Sequence, residues 1–323
     1  MTATVAPAPR ARFSLGSLAR NGAAVWIVVA VAVLGLTVAD GSGFWAPANV
    51  ANVLTATVVL GLAALGQHLV VLSGGIDLSV GSTATLSALL TALLINGYPI
   101  RTAPVLIGML LLGALIGVLH GGLVARVGLP PFIVTLATLY LIQGAAFMIS
   151  TTPAGRVTSA LSSVALQRIG PIPYSFAVLL VAVAVVALVL RRTAFGRHLY
   201  AVGGDPAAAR ATGVPVDRVL VTAYVLAGIL AALAGILLAA RATVGSPTAG
   251  QGLELSAITV VVLGGTSLLG GRGSLLGTLG GVVLLSLVSS SVTLLQLPAT
   301  LTDLIRGIVI LAAAAIFVAK VRR

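Results

Sequence analysis

The sequence predicts an all-α polytopic membrane protein with about ten transmembrane helices and both termini in the cytoplasm. Composition is the first reason. Of 323 residues, 59% are hydrophobic and only 7% charged, whereas a soluble domain carries about a quarter charged residues; mean hydropathy is +1.19. The second is run length, because the apolar stretches match the roughly 20 residues that a helix needs to cross a bilayer. The third is charge placement. With the N-terminus inside, thirteen of the eighteen basic residues fall at inner ends and loops, and five, Arg101, Arg156, Arg168, Arg241 and Arg306, fall outside, as the positive-inside rule requires. The net charge of +12 therefore orients spans and does not point to nucleic acid.

In chain order, residues 1–22 read as a disordered cytoplasmic tail rich in Ala, Pro and Arg, and 23–323 as a single transmembrane domain. No cleavable signal peptide is evident, since the first apolar run, 23–39, has the length of a membrane anchor. Further spans are expected near 50–72, 78–96, 103–125, 131–150, 174–190, 219–240, 255–270, 274–296 and 301–319. The outer loop at 151–173 is the longest on its side.

Several function classes are disfavoured at once. There is no cysteine, so disulfides, thiolate chemistry and cysteine metal sites are out of reach. His68, His120 and His198 form no ligand spacing, and neither a metal site nor a catalytic residue is expected. Of the six acids, Asp40, Asp77, Asp205, Asp217, Glu254 and Asp303, most lie at span ends, and Asp303 pairs by spacing with Arg306. Ion-coupled carriers usually need acids within the membrane; Asp77 alone keeps a self-sufficient secondary carrier open. No GxxxxGK[ST] loop occurs and the one lysine is Lys320. If ATP drives this protein, ATP and Mg belong to a partner chain.

The longest polar excursion, Arg191–Arg218, predicts a cytoplasmic loop with a short helix inside it. Asp205 can cap free backbone N–H groups, Pro206 suits the first helical position, and Ala207 to Thr212 are mostly good helix formers. Gly213 supplies a left-handed stop and Pro215 prevents resumption. A helix this short needs a surface to rest on, either as an ordered connector or as a docking element.

Two stretches within the membrane could meet a solute. In GGIDLSVGS, 74–82, Gly74 and Gly75 break a helix, Asp77 or Ser79 can cap the next, and Gly81 follows. By span length a capped turn at the cytoplasmic face is the favoured reading; a break at depth would instead expose polar backbone to a cavity. VVLSGGIDL at 70–78 is echoed by VVLGGTSL at 261–268, with Gly264 and Gly265, and paired glycine interruptions can mark a transport site. In the helix expected from Pro130, Phe132 and Thr135 share a side and could hold a sugar; helix packing uses the same residues.

Together these pieces resemble the inner-membrane permease subunits of ABC importers of the ribose/xylose monosaccharide type. The resemblance rests on LSGGIDLSVGS at 72–82, GLPPFIVTLATLYLIQG at 128–144, FGRHLYAVGGDPAAARATGV at 195–214 and ELSAITVVVLGGTSLLGGRGS at 254–274. It implies a type II-like importer permease fold in the bacterial cytoplasmic membrane, and a coupling helix at 205–213 that docks on an ABC ATP-binding subunit. Gly196, Arg197, Asp205, Pro206, Ala208, Ala209, Arg210 and Gly213 match the coupling motif. It also implies a second permease chain and an extracytoplasmic sugar-binding protein. The pathway would run near Gly74, Gly75, Asp77, Ser79, Gly81, Phe132, Thr135, Glu254, Gly264 and Gly265. One departure is Ala207, where the family often has glutamate. Branched-chain amino acid permeases share the architecture, but GGIDLSVG looks more like the sugar branch.

Overall fold

The computed structural model describes residues 23–294 together with positions 304 and 307. The expected tail at 1–22, the tenth span at 301–319 and the Asp303–Arg306 pair lie outside the described residues. Twelve named helices follow one another: α1 (Ala23–Phe44), α2 (Pro47–Leu72), α3 (Val80–Ile95), α4 (Pro99–Ala125), α5 (Pro131–Ile149), α6 (Ser159–Leu166), α7 (Tyr174–Arg192), α8 (Ala194–Gly204), α9 (Pro206–Ala211), α10 (Val216–Ala242), α11 (Leu253–Leu263) and α12 (Leu275–Leu294). A two-residue hairpin, β1 (Arg168–Ile169) with β2 (Ile172–Pro173), pairs antiparallel between α6 and α7. Seven of the described helices, α1, α2, α4, α5, α7, α10 and α12, are long and apolar enough to cross a membrane. Several open on proline, at Pro47, Pro99 and Pro131, where the missing N–H costs nothing. α1 is kinked at Asp40, where the first apolar run ends.

The bundle is organised around α10, which packs on α2, α3 and α4. The α4 contact is a small-residue seam: side chains at Gly113, Gly117 and Gly121, one turn apart, would collide with Gly228, Tyr224 and Val221 of α10. Glycine at this spacing lets two helix backbones approach closely, the usual means of tight association where lipid leaves little hydrophobic drive between helices. The opposite face of α4 exposes Ile107, Leu111 and Leu115, as a bilayer-facing stripe should.

Two expected spans differ from the sequence reading. The run at 78–96 is helical only from Val80, and the run at 255–270 only to Leu263. At about 1.5 Å per residue, an eleven-residue α11 is about half the length needed. α3, sixteen residues or about 24 Å, falls short by less, and each shortened helix is preceded by non-helical chain, 73–79 and 243–252, that completes its passage. At one end of the bundle Gly97 N–H donates to Arg156 O (2.9 Å), and Ala154 pairs with Gly245. At the other, Gly271 N–H donates to Leu72 O (3.0 Å). Both broken segments therefore run from end to end, with their helices starting inside the bundle. Val80 and Ala257 cluster with Ala63 and Ala231, near the middles of α2 and α10.

Candidate functional site

Within 73–79 Gly74 is exposed and Ile76 half-buried, while Ser73, Gly75, Asp77, Leu78 and Ser79 are buried among α2, α5 and α10, with Asp77 only 3% exposed. The break starts at the end of the bundle, as the edge-turn reading expects, but it does not stop there: from Gly75 to Ser79 the irregular backbone runs into the bundle, where side chains satisfy it. Gln67 of α2 turns its carboxamide to Asp77 and makes both backbone bonds, donating to Asp77 O (2.9 Å) and accepting from Asp77 N–H (3.2 Å). Thr135 of α5 donates to Ile76 O (3.0 Å). The Asp77 carboxylate accepts from Ser79 N–H (2.8 Å) and Ser79 Oγ (2.7 Å), so it fixes the entrance to α3. Just inside α3, Gly81 faces Glu254 and Gly250 so closely that a Cβ there would collide with both. Gly250 N–H in turn donates to Thr85 Oγ1 (2.9 Å). The N-termini of α3 and α11 thus meet within the bundle, and the Glu254 carboxylate, accepting from Gly252 N–H (3.2 Å), lies at the favourable positive end of its own helix.

The other ends of the broken segments touch the loop that carries the short helix. Gly74 and Gly265 adopt φ of 87° and 84°, a left-handed conformation that glycine enters without strain. The turn at Gly270 lies against Gly74 and Gly203, and a side chain at Gly203 would run into Leu72 O and Gly271 N. Tyr200 adds a hydrogen bond from its hydroxyl to Gly273 O (3.3 Å). α8 is held from behind by Leu199 and Val202, buried against α2, α7 and α10. α9 follows directly: Asp205 Oδ1 accepts from Ala207 N–H (2.8 Å) and Ala208 N–H (3.0 Å), and Gly213 ends the turn at φ 84°. Arg210 pairs with Asp217 of α10 at 2.7 Å. Pro206, Ala207, Ala208 and Ala211 present an exposed face of small side chains.

Residues 49–314 match the family described as branched-chain amino acid transport system / permease component. The chain belongs to this permease family. It is 37% identical to a ribose import permease of Bacillus subtilis over 84% of each chain. It is also 37% identical to a fructose import permease of Rhizobium meliloti, over 90% of this chain and 83% of that one. An L-arabinose ABC transporter permease of Azospirillum brasilense is 35% identical over 96% of this chain and 91% of its own. No solved structure matches. With its apolar helices, the permease is a multi-pass inner-membrane protein.

The permease brings together most of the residues singled out from its sequence, in two groups. Gly74, Gly75, Asp77, Ser79, Gly81, Thr135 and Glu254 line or brace the broken segments. Gly264 and Gly265 close α11, with Gly264 pressed on Gly277 and Thr278. Phe132 stands apart, 51% exposed on α5. In the loop, Gly196 is buried against Leu190, while Arg197 is exposed and reaches back to Thr193 O (3.3 Å). Ala209 points inward, 5% exposed in the main core, unlike Ala208. His68, fully buried, bonds through Nδ1 to Thr278 (2.8 Å) and Thr266 (3.2 Å). No group of three His, Asp or Glu able to hold a metal ion occurs among the described residues. Gln67 and Gly203 escaped sequence reading; the one available signal was Gln67, set beside His68 in the middle of a long apolar run.

Proposed function

We propose that this chain is the transmembrane, non-catalytic subunit of an ATP-driven importer that moves a monosaccharide across the cytoplasmic membrane by alternating access. ATP and Mg bind a separate ATPase that docks on the exposed face of α9. An extracytoplasmic binding protein delivers the sugar, and a second permease chain completes the pathway. The observation that carries this reading is the contact of Gly203 with Leu72 and Gly271, one helix away from α9: a push on α9 arrives, through backbone contacts, at both broken segments. Interfaces packed this tightly move as rigid bodies between discrete states. The family's description mentions branched-chain amino acids, but import permeases named for ribose, fructose and L-arabinose are alike over most of the chain, so a sugar is the stronger reading.

The test is purification of the tagged chain from its native membrane in mild detergent, with identification and stoichiometry of what accompanies it. Recovery of a P-loop ATPase at about one copy per permease is expected. Recovery of the chain alone, still moving sugar in liposomes without ATP, would overturn the proposal and bring Asp77 forward as an ion site.

A further inference from the structure

We propose that the chamber around Arg241 is the outward-facing solute site of this permease, and that it takes a neutral sugar by gripping a vicinal diol with the guanidinium. This deepens the import reading and rests on it. Three adjoining cavities of about 230, 200 and 270 Å³ share Arg241 in their walls. They lie between the first turns of α2, the end of α10, the start of α11 and the later turns of α12, toward the end of the bundle where Ala154 meets Gly245. Asn52, Gln251, Ser256 and Ser286 line them beside apolar Ala56 and Leu60, and Arg168 joins Arg241 in the wall of the 200 Å³ cavity.

Two features mark the chamber as built for a ligand. Ser286 is 2% exposed, belongs to the 230 Å³ part of the chamber, and is the lining residue whose buried hydroxyl has no hydrogen-bond partner among the described residues; buried hydroxyls are usually bonded. Arg241 has no acidic neighbour either, the ion pair among the described residues being Arg210–Asp217. The remaining lining discriminates between ligands. Asn, Gln and Ser each donate and accept, as sugar hydroxyls do, whereas an anion accepts only and calls for donors alone. Arg241 is the guanidinium common to all three cavities, with Arg168 at the rim of one; its planar fork beside an apolar wall suits a polyol with its C–H face down. Gly250 also lines the chamber and touches Gly81, so an occupant rests directly on the junction of the two shortened helices.

The absence of cysteine makes the test clean. In cells carrying the complete importer, uptake of labelled D-ribose, D-fructose, L-arabinose and D-galacturonate is measured. Asn52→Cys is treated in parallel with a membrane-impermeant methanethiosulfonate from the extracytoplasmic side. Expected are uptake of at least one neutral sugar, labelling of Asn52→Cys that slows when that sugar is present, and a fall in uptake of about 10- to 100-fold in Arg241→Ala, the range of a lost charged hydrogen bond. Arg241→Lys should recover only part, because lysine lacks the fork. Should Arg241→Ala fail to reach the membrane, Arg241→Gln and Ser286→Ala at normal membrane levels carry the test. Uptake within twofold of wild type in these variants, or no labelling of Asn52→Cys, overturns the proposal alone. Preference for galacturonate overturns the neutral-sugar assignment, and uptake of none of the four overturns the import reading beneath it.

Discussion

Asp77 shows how a buried acid can be used for shape. Its carboxylate takes both the N–H and the hydroxyl of Ser79, and its own backbone is held by Gln67. Asparagine keeps an acceptor oxygen in the same place, so Asp77→Asn should fold normally and leave uptake independent of sodium or proton gradients, whereas an ion-coupled carrier would lose its ion dependence. Gln67→Leu, similar in volume, leaves two buried backbone groups unbonded at about 1–3 kcal/mol each. A clear drop in detergent melting temperature is expected, and an unchanged melting curve would show that water replaces the amide. The chemistry of this site was legible in GGIDLSVGS, but its depth was not. A run of apolar residues reads the same whether it is one helix or an irregular stretch plus a shortened helix, and of the residues that make the difference Thr135 lies far along the chain from the Ile76 carbonyl it satisfies, while Gln67 folds back on Asp77 from within the preceding helix.

The short helix α9 was readable as an element, since Asp205, Pro206 and Gly213 write both its ends locally. Which alanine faces out depends on the fold behind it. Ala208→Glu changes an exposed position and should alter stability by no more than about 0.5 kcal/mol while reducing ATPase recovery at least tenfold. Ala209→Glu places a charge in the core, so it should lower the yield of folded protein, and a docking assay on it would report misfolding. Arg210→Ala removes an ion pair whose side chains are 66% and 49% exposed, and such pairs contribute about 0–1 kcal/mol; a melting temperature close to wild type is expected, so any loss of ATPase recovery in this variant reports docking and not folding. At the α8 contact, burial raises the Tyr200 phenol above its ordinary range, against a smaller opposing pull from Arg191. The folded state thus prefers the neutral phenol, and its contribution is intact below about pH 10 and lost as the pH climbs further. Melting temperatures of wild type should fall more steeply than those of Tyr200→Phe between about pH 9 and 11.

At the scale of the molecule, the two broken segments and the α8–α9 loop form one connected train: α9, then Gly203 against Leu72 and Gly271, then the shortened helices whose N-termini meet at Gly81 and Gly250. Such a train works only if its two ends face opposite sides of the membrane. Charge placement gives the direction: the end with Arg191, Arg192, Arg197, Arg210 and Arg218 is the richer in arginine, and the positive-inside rule sets it in the cytoplasm. Ala208 should then be cytoplasmic and Thr152, exposed in the loop beside Ala154, extracytoplasmic. In this cysteine-free chain, Thr152→Cys should react with an impermeant maleimide in spheroplasts, and Ala208→Cys only in inverted vesicles. Reaction of both from the same side would break the train, because α9 could not then pass motion from an ATPase on one face to a solute entering from the other.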